Sequence, residues 1–157
     1  MKPIQKPTLK LVARLRDGQL VKGYTDALAT ASLDELLQEK RIVLPPAIDV
    51  HLAETSRIVS VPLDSLKALF FVKTFQGSRD YREITFFEKY PPIKGLWVRV
   101  SFYDRESTEG VVRNSLEFLV DPGFFLKPPD PQSNNELIYV VKSSLAEFRV
   151  LGVRMSY

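Results

Sequence analysis

Cysteine is absent from the chain, and histidine occurs once, as His51. The first absence excludes a disulfide framework, a thiolate nucleophile and zinc held by sulfur. The second leaves His51, close to Pro45-Pro46 and Asp49, with no other imidazole to share a metal or a catalytic dyad, so it reads as structural. Long apolar runs are missing too. The longest, such as Ala68 to Val72, fall far short of the roughly 20 residues a membrane-crossing helix needs. The opening stretch, MKPIQKPTLKLVARL, is basic but has no continuous apolar segment and no small-residue cleavage site. A cytoplasmic location without membrane contact is therefore expected.

Chemistry-bearing motifs are scarce. There is no Gly-rich phosphate loop, which argues against nucleotide hydrolysis. Carboxylates such as Asp34-Glu35 and Glu106 with Glu109 fall at expected helix ends or turns, where solvation rather than acid–base work is their ordinary use. Ser107-Thr-Glu-Gly110 after Asp104 resembles the Asp-x-Ser-x-x-Gly of PilZ domains, which bind a cyclic dinucleotide. The Asp stands one residue too early, and the paired-Arg arm of that family is missing. No cofactor, metal or catalytic residue follows, and an enzyme is the least favoured class.

What is present is ordinary globular material. At 157 residues, 45% hydrophobic and 26% charged, the chain is too apolar for disorder. Its length suits one domain, or two small units of about 70 residues that lean on each other. The net charge of +3 is uneven: +4 over residues 1–26, −2 over 27–72, +2 over 73–95 and −1 over 96–157. A nucleic-acid binder usually concentrates more positive charge than this on one face.

The strongest signal is internal similarity. At an offset of 87, Leu9, Leu11, Ala13 and Leu15 fall on Leu96, Val98, Val100 and Phe102, Asp17 falls on Asp104, and Gly23 on Gly110. At an offset of 79, Val61, Ser65, Leu66 and Leu69 fall on Val140, Ser144, Leu145 and Phe148. Two copies result, roughly 9–72 and 96–151, the first with about eight extra residues between its second and third strands.

Alternation of apolar Leu9, Leu11, Ala13 and Leu15 with Lys10, Arg14 and Arg16 predicts a half-buried strand. Asp17-Gly18 predicts a two-residue hairpin turn, whereas Asp104-Arg105 demands a longer turn or another type. Gly23 and Gly110, inside the second strand of each copy, predict a bend of the kind a small curved barrel needs. Ser32 with Glu35 forms a capping box, and Leu33, Leu36 and Leu37 line one face of a short helix ending at Lys40-Arg41. Each copy closes with strand, tight turn and strand: 58–63, 64–66 and 68–72, then 137–142, 143–145 and 147–151. Ile84-Thr-Phe-Phe87 could pair as an additional strand, and 127–135 can only be a loop.

The segment Leu11-Val-Ala-Arg-Leu-Arg-Asp-Gly-Gln-Leu-Val-Lys-Gly23 is similar to the first half of the signature of Sm-like small β-barrels. The whole also resembles a bacterial family of uncharacterised proteins carrying the same phrase in tandem. The resemblance implies a mainly β chain of two tandem Sm-like or SH3-like barrels, with one short helix inserted in the first. Residues 1–8 become an N-terminal arm, 9–72 the first barrel, 73–95 a linker that could add a strand, and 96–157 the second barrel. The RNA-binding residues of Sm proteins are not matched. The loop after Gly23 is replaced by the helical insertion, and neither Leu66-Lys67-Ala68 nor Leu145-Ala146-Glu147 offers the Arg-Gly pair. Ring assembly through edge strands follows by analogy only.

The favoured function is a non-enzymatic binding or scaffolding module, an intramolecular pseudo-dimer whose strand edges or inter-barrel groove meet a protein partner or a second copy. The alternative is nucleic-acid (RNA) binding through a basic strip of Lys2, Lys6, Lys10, Arg14 and Arg16. Arg79, Tyr81 and Arg82, with Phe86, Phe87 and Tyr90 near them, would supply the base-and-aromatic mixture that single strands favour. Trp97 packs against the other barrel or joins an exposed patch.

Overall fold

The computed structural model describes residues 9–26, 42–76, 84–91, 94–115 and 117–154. The expected arm 1–8, the expected helix from Ser32 to Arg41, and Arg79, Tyr81 and Arg82 lie outside the described residues. The chain is mainly β. Its elements are β1 (Leu9–Leu15), β2 (Leu20–Thr25), β3 (Ala47–Leu52), β4 (Ile58–Pro62), β5 (Leu66–Val72), β6 (Gly95–Phe102), β7 (Ser107–Val112), a four-residue α1 (Glu117–Val120), β8 (Gly123–Lys127), β9 (Asn135–Val141) and β10 (Leu145–Arg154). One-turn 3-10 segments, Leu63–Ser65 and Lys142–Ser144, link β4 to β5 and β9 to β10.

The ten strands among the described residues join one antiparallel sheet in the order β10-β6-β7-β8-β9-β5-β1-β2-β3-β4. Two tandem barrels are expected from the sequence; what the described strands establish is one open sheet that continues from one half of the chain into the other. The physical reason is β5, which pairs with β9 rather than with β4, setting Leu69 opposite Tyr139 and Phe71 opposite Leu137. Each half nevertheless runs last-first-second-third-fourth from its own β5 or β10.

The seam strands explain their own composition. β1 alternates buried and half-buried positions, as a strand with one wet face should. β5 and β9 are buried along most of both faces. Leu69 and Phe71 of β5, with Leu137, Tyr139 and Val141 of β9, pack with Leu11, Ile48 and Val50 in one core. Ala68 of β5, with Ile138 and Val140 of β9, packs with Val98, Val100, Phe124 and Leu126 in the other. Burying a Val, Leu, Ile or Phe contributes about 1.5–3 kcal/mol, so these shared side chains couple the two cores.

The β1–β2 and β6–β7 turns are the same turn, contrary to the sequence expectation. Gly18 donates its N–H to the Leu15 carbonyl and Leu15 donates to the Gln19 carbonyl; Arg105 and Phe102 repeat this with Phe102 and Glu106. The loop has three residues rather than two, and its last residue is left-handed: Gly18 at φ 91° and Arg105 at φ 73°. Gly23 lies opposite Leu11 and Gly110 opposite Val98. A Cβ on Gly23 would collide with the His51 carbonyl, and one on Gly110 with Leu126 and the Lys127 carbonyl. Both glycines therefore admit the next strand at close range.

Residues 84–87 are not a strand. They lie along β7 as an irregular segment in which the Thr85 carbonyl accepts the Glu109 N–H at 2.7 Å.

Candidate functional site

Three of the six residues singled out for nucleic-acid contact are described, all on β1 or the turn after it, and each has a partner. Lys10 Nζ donates to the Lys73 carbonyl at 3.3 Å and sits 5.2 Å from the Phe75 ring centre. Arg14 pairs with Glu106 at 3.1 Å, and Arg16 donates to the Ser143 hydroxyl. Arg14 and Arg16 thereby reach across the seam into the other half of the sheet. Arg79, Tyr81 and Arg82 fall outside the described residues.

At the seam lies a charge cluster that sequence reasoning missed. Lys67, in the apolar strand β5, has a side chain only 6% exposed. Its ammonium meets Asp104 at 2.5 Å and Glu106 at 2.9 Å, and lies 4.5 Å from the Phe102 ring centre. Glu106 thus bridges Lys67 and Arg14. Desolvation pushes the Asp104 carboxyl up, but the Lys67 hydrogen bond, the Glu106 backbone N–H and the charges of Lys67 and Arg14 outweigh it, holding the group below 3.8. Beside it, the buried Ser144 hydroxyl donates to the Lys67 carbonyl at 2.9 Å. The sequence signal for this cluster was a lone lysine in the run Leu-Lys-Ala-Leu-Phe-Phe, since a buried ammonium requires partners.

A second cluster anchors the segment before β6. Glu109 is almost fully buried, and its carboxylate accepts from the Trp97 indole at 2.8 Å, Arg99 at 3.2 Å and the Phe87 N–H at 3.3 Å. Phe87 and Tyr90 meet the Trp97 ring edge-on. Trp97 therefore packs against residues 87–90 of its own connecting segment. Filled with hydrogen bonds in this way, Glu109 serves as a structural clasp.

The ends of the sheet differ in character from its middle. Among the described residues β4 pairs only with β3, and β10 only with β6. The Leu63 N–H donates to Pro46 on the β3 side, so alternation turns the N–H and C=O of Ile58 and Ser60 outward. The same alternation, counted from the Phe102 N–H bonded to Glu106, turns Phe148 and Val150 outward on β10. Pro62 has no N–H to offer. Ile58, Val59, Val150 and Val153 are exposed at these ends. Tyr90 covers the far part of β10, donating its hydroxyl to the Val153 carbonyl. A cleft of about 650 Å3 adjoins β4, its lining including Leu20, Lys22, Leu52, Glu54, Val59 and Phe75.

Among the described residues no group of His, Asp and Glu is arranged to hold a metal ion, and no helix is long and apolar enough to cross a membrane. No curated protein and no solved structure matches the chain. The model of one family, a family of unknown function (DUF6982), matches residues 7–152. With nearly the whole chain covered, the protein belongs to that family.

Proposed function

We propose that the protein is a non-enzymatic scaffolding module, an internal duplication of two Sm-like small barrels fused into a pseudo-dimer, and that it binds a protein partner by adding the partner's strand to an open end of the sheet. The observation that carries this reading is the pair of end strands, whose outward N–H and C=O groups are joined by exposed Ile58, Val59 and Val150. Such an edge supplies main-chain hydrogen bonds for affinity and alternate side chains for specificity.

The duplication is supported by the common strand order, the shared three-residue turn and the glycines at one register. It is also supported by matched closing bonds, Leu63 N–H to Pro46 and Lys142 N–H to Pro122. The nucleic-acid alternative loses weight because Arg14 is neutralised by Glu106 and Lys10 is held against Phe75.

Panning a random-peptide display library on the intact protein tests the reading. Extended peptides should be enriched, and Ser60→Pro or Val150→Pro, each removing one outward N–H, should abolish binding at its own end. Peptides indifferent to both substitutions would overturn strand addition. Salt-sensitive binding to a mixed RNA and DNA pool would put the basic-strip alternative in its place.

A further inference from the structure

The seam gives the chemistry that an incoming strand must satisfy. There β5 meets β9 with Ala68 opposite Val140 and Phe70 opposite Ile138, all on the side of the second core. At the offset of 79, the same positions on the outer strands are Glu147 and Arg149 of β10, and Val61 and Val59 of β4. Were β10 to add a second copy's β4 as β5 adds β9, Glu147 would face Val61 and Arg149 would face Val59. Ala68 is fully buried at the seam; a carboxylate in its place would lose water with no new partner beyond the Arg149 it already holds. Pro62, in the place of Val141, removes a further ladder donor. The β10 end therefore rejects the protein's own β4.

The other side of β10 is receptive. Phe148 packs into the second core, and Val150 is 48% exposed where its counterpart Phe71 is 1% exposed. Among the described residues Glu147 and Arg149 pair with each other, at 2.9 Å and with both side chains more than half exposed. Two charges of opposite sign flank an apolar position.

We infer that the β10 end is a docking site for a foreign extended segment, antiparallel to β10, with the pattern apolar–acidic–apolar–basic. Its residues lie opposite Val150, Arg149, Phe148 and Glu147 in that order. This inference rests on the strand-addition reading above and supplies the partner's chemistry. The apolar positions cover Val150 and Phe148, and the acidic and basic ones face Arg149 and Glu147 as cross-strand pairs.

The test uses the intact protein and three synthetic peptides: one with a Leu-Glu-Tyr-Lys core, one with the charges exchanged as Leu-Lys-Tyr-Glu, and one copying residues 56–62. The first should bind roughly tenfold more tightly than the second, the sum of two cross-strand charge pairs gained against two lost. It should also bind more tightly than the third. The double variant Glu147→Lys/Arg149→Glu, altered only at exposed side chains, should reverse the preference between the first two. Equal binding of the exchanged peptides, tighter binding of the 56–62 peptide, or head-to-tail oligomers by light scattering would each overturn the inference. If display yields peptides sensitive to Val150→Pro but without the charge pattern, this inference fails and strand addition survives. If none is edge-sensitive, both fail.

Discussion

Lys67 and Asp104 meet at 2.5 Å across the line where the two halves of the sheet join, the lysine buried and the aspartate half-exposed. The lysine leaves water for a strand that is otherwise apolar, and among the described residues Asp104, Glu106 and the face of Phe102 compensate it. Removing one member of such a cluster is not symmetric with removing another. Lys67→Met fills similar volume and leaves two carboxylates that can turn to water, so its cost should stay within about 1 kcal/mol. Asp104→Ala/Glu106→Ala strands a buried ammonium and should cost about 3 kcal/mol. Denaturant unfolding of the two variants checks the order; equal costs would mean that Lys67 is solvated in solution.

The same pair gives the protein an acid-side dependence. The folded Asp104 carboxyl titrates below its ordinary 3.8. Its contribution is present in full above 3.8 and is lost as pH falls through the lower folded value, because the unfolded chain takes up the proton first. Stability measured for the native chain and for Asp104→Asn should differ above 3.8 and converge below it. A gap that does not narrow with acid would remove Asp104 from the account.

Tyr139 sets the opposite limit. Burial between β5 and β8, with the charge of Asp121 adding to it, pushes its hydroxyl from 10.0 to about 12. A raised acid in the folded state stabilises the fold below the unfolded value, and that stabilisation disappears between 10 and about 12. Two units correspond to about 2–3 kcal/mol. Tyrosinate absorbance should show one tyrosine ionising late and together with unfolding, and Tyr139→Phe should abolish that component.

Much of this framework is legible in the residues, and what is not legible has a common cause. The alternation of Leu9 to Leu15 and the placement of Gly23 and Gly110 report local needs, a wet face and a close strand, that any reader of the sequence can recover. The seam is different. That β5 pairs with β9 depends on which strand 63 or more residues away offers an apolar partner on both faces, and no local pattern encodes that choice. Arg14 and Arg16 look like a free basic strip because their partners, Glu106 and Ser143, lie 92 and 127 residues on. The irregular course of residues 84–87 follows from Glu109, whose carboxylate captures the Phe87 N–H that a strand would have used.

The two interior glycines make a prediction about strand geometry. Gly23→Ala places a methyl group against the His51 carbonyl, and backbone cannot retreat without parting β2 from β3. Gly110→Ala meets the Leu126 side chain first, which can rotate, and then the Lys127 carbonyl at 2.8 Å. Both should destabilise at the upper end of the about 1–3 kcal/mol typical of overpacking, Gly23→Ala the more severely. Thermal unfolding of the two variants checks the order.

Arg105 offers the converse case. It occupies the left-handed position of the β6–β7 turn at φ 73°, where its counterpart in the β1–β2 turn is Gly18. An arginine pays in steric crowding between Cβ and carbonyl that glycine avoids. The turn's other requirement is met in both halves: Asp17 accepts the Gln19 N–H at 2.9 Å and Asp104 the Glu106 N–H at 3.0 Å. Arg105→Gly should therefore keep the turn and raise stability by about 0.5–1 kcal/mol, the relief of strain exceeding the entropy that glycine adds to the unfolded chain. Gly18→Arg should lose a similar amount. Because Asp104 also holds Lys67, a turn that relaxed away from its present shape would release the seam cluster. Loss of stability in Arg105→Gly would then mean that the strained arginine, and not the turn alone, keeps Asp104 against Lys67.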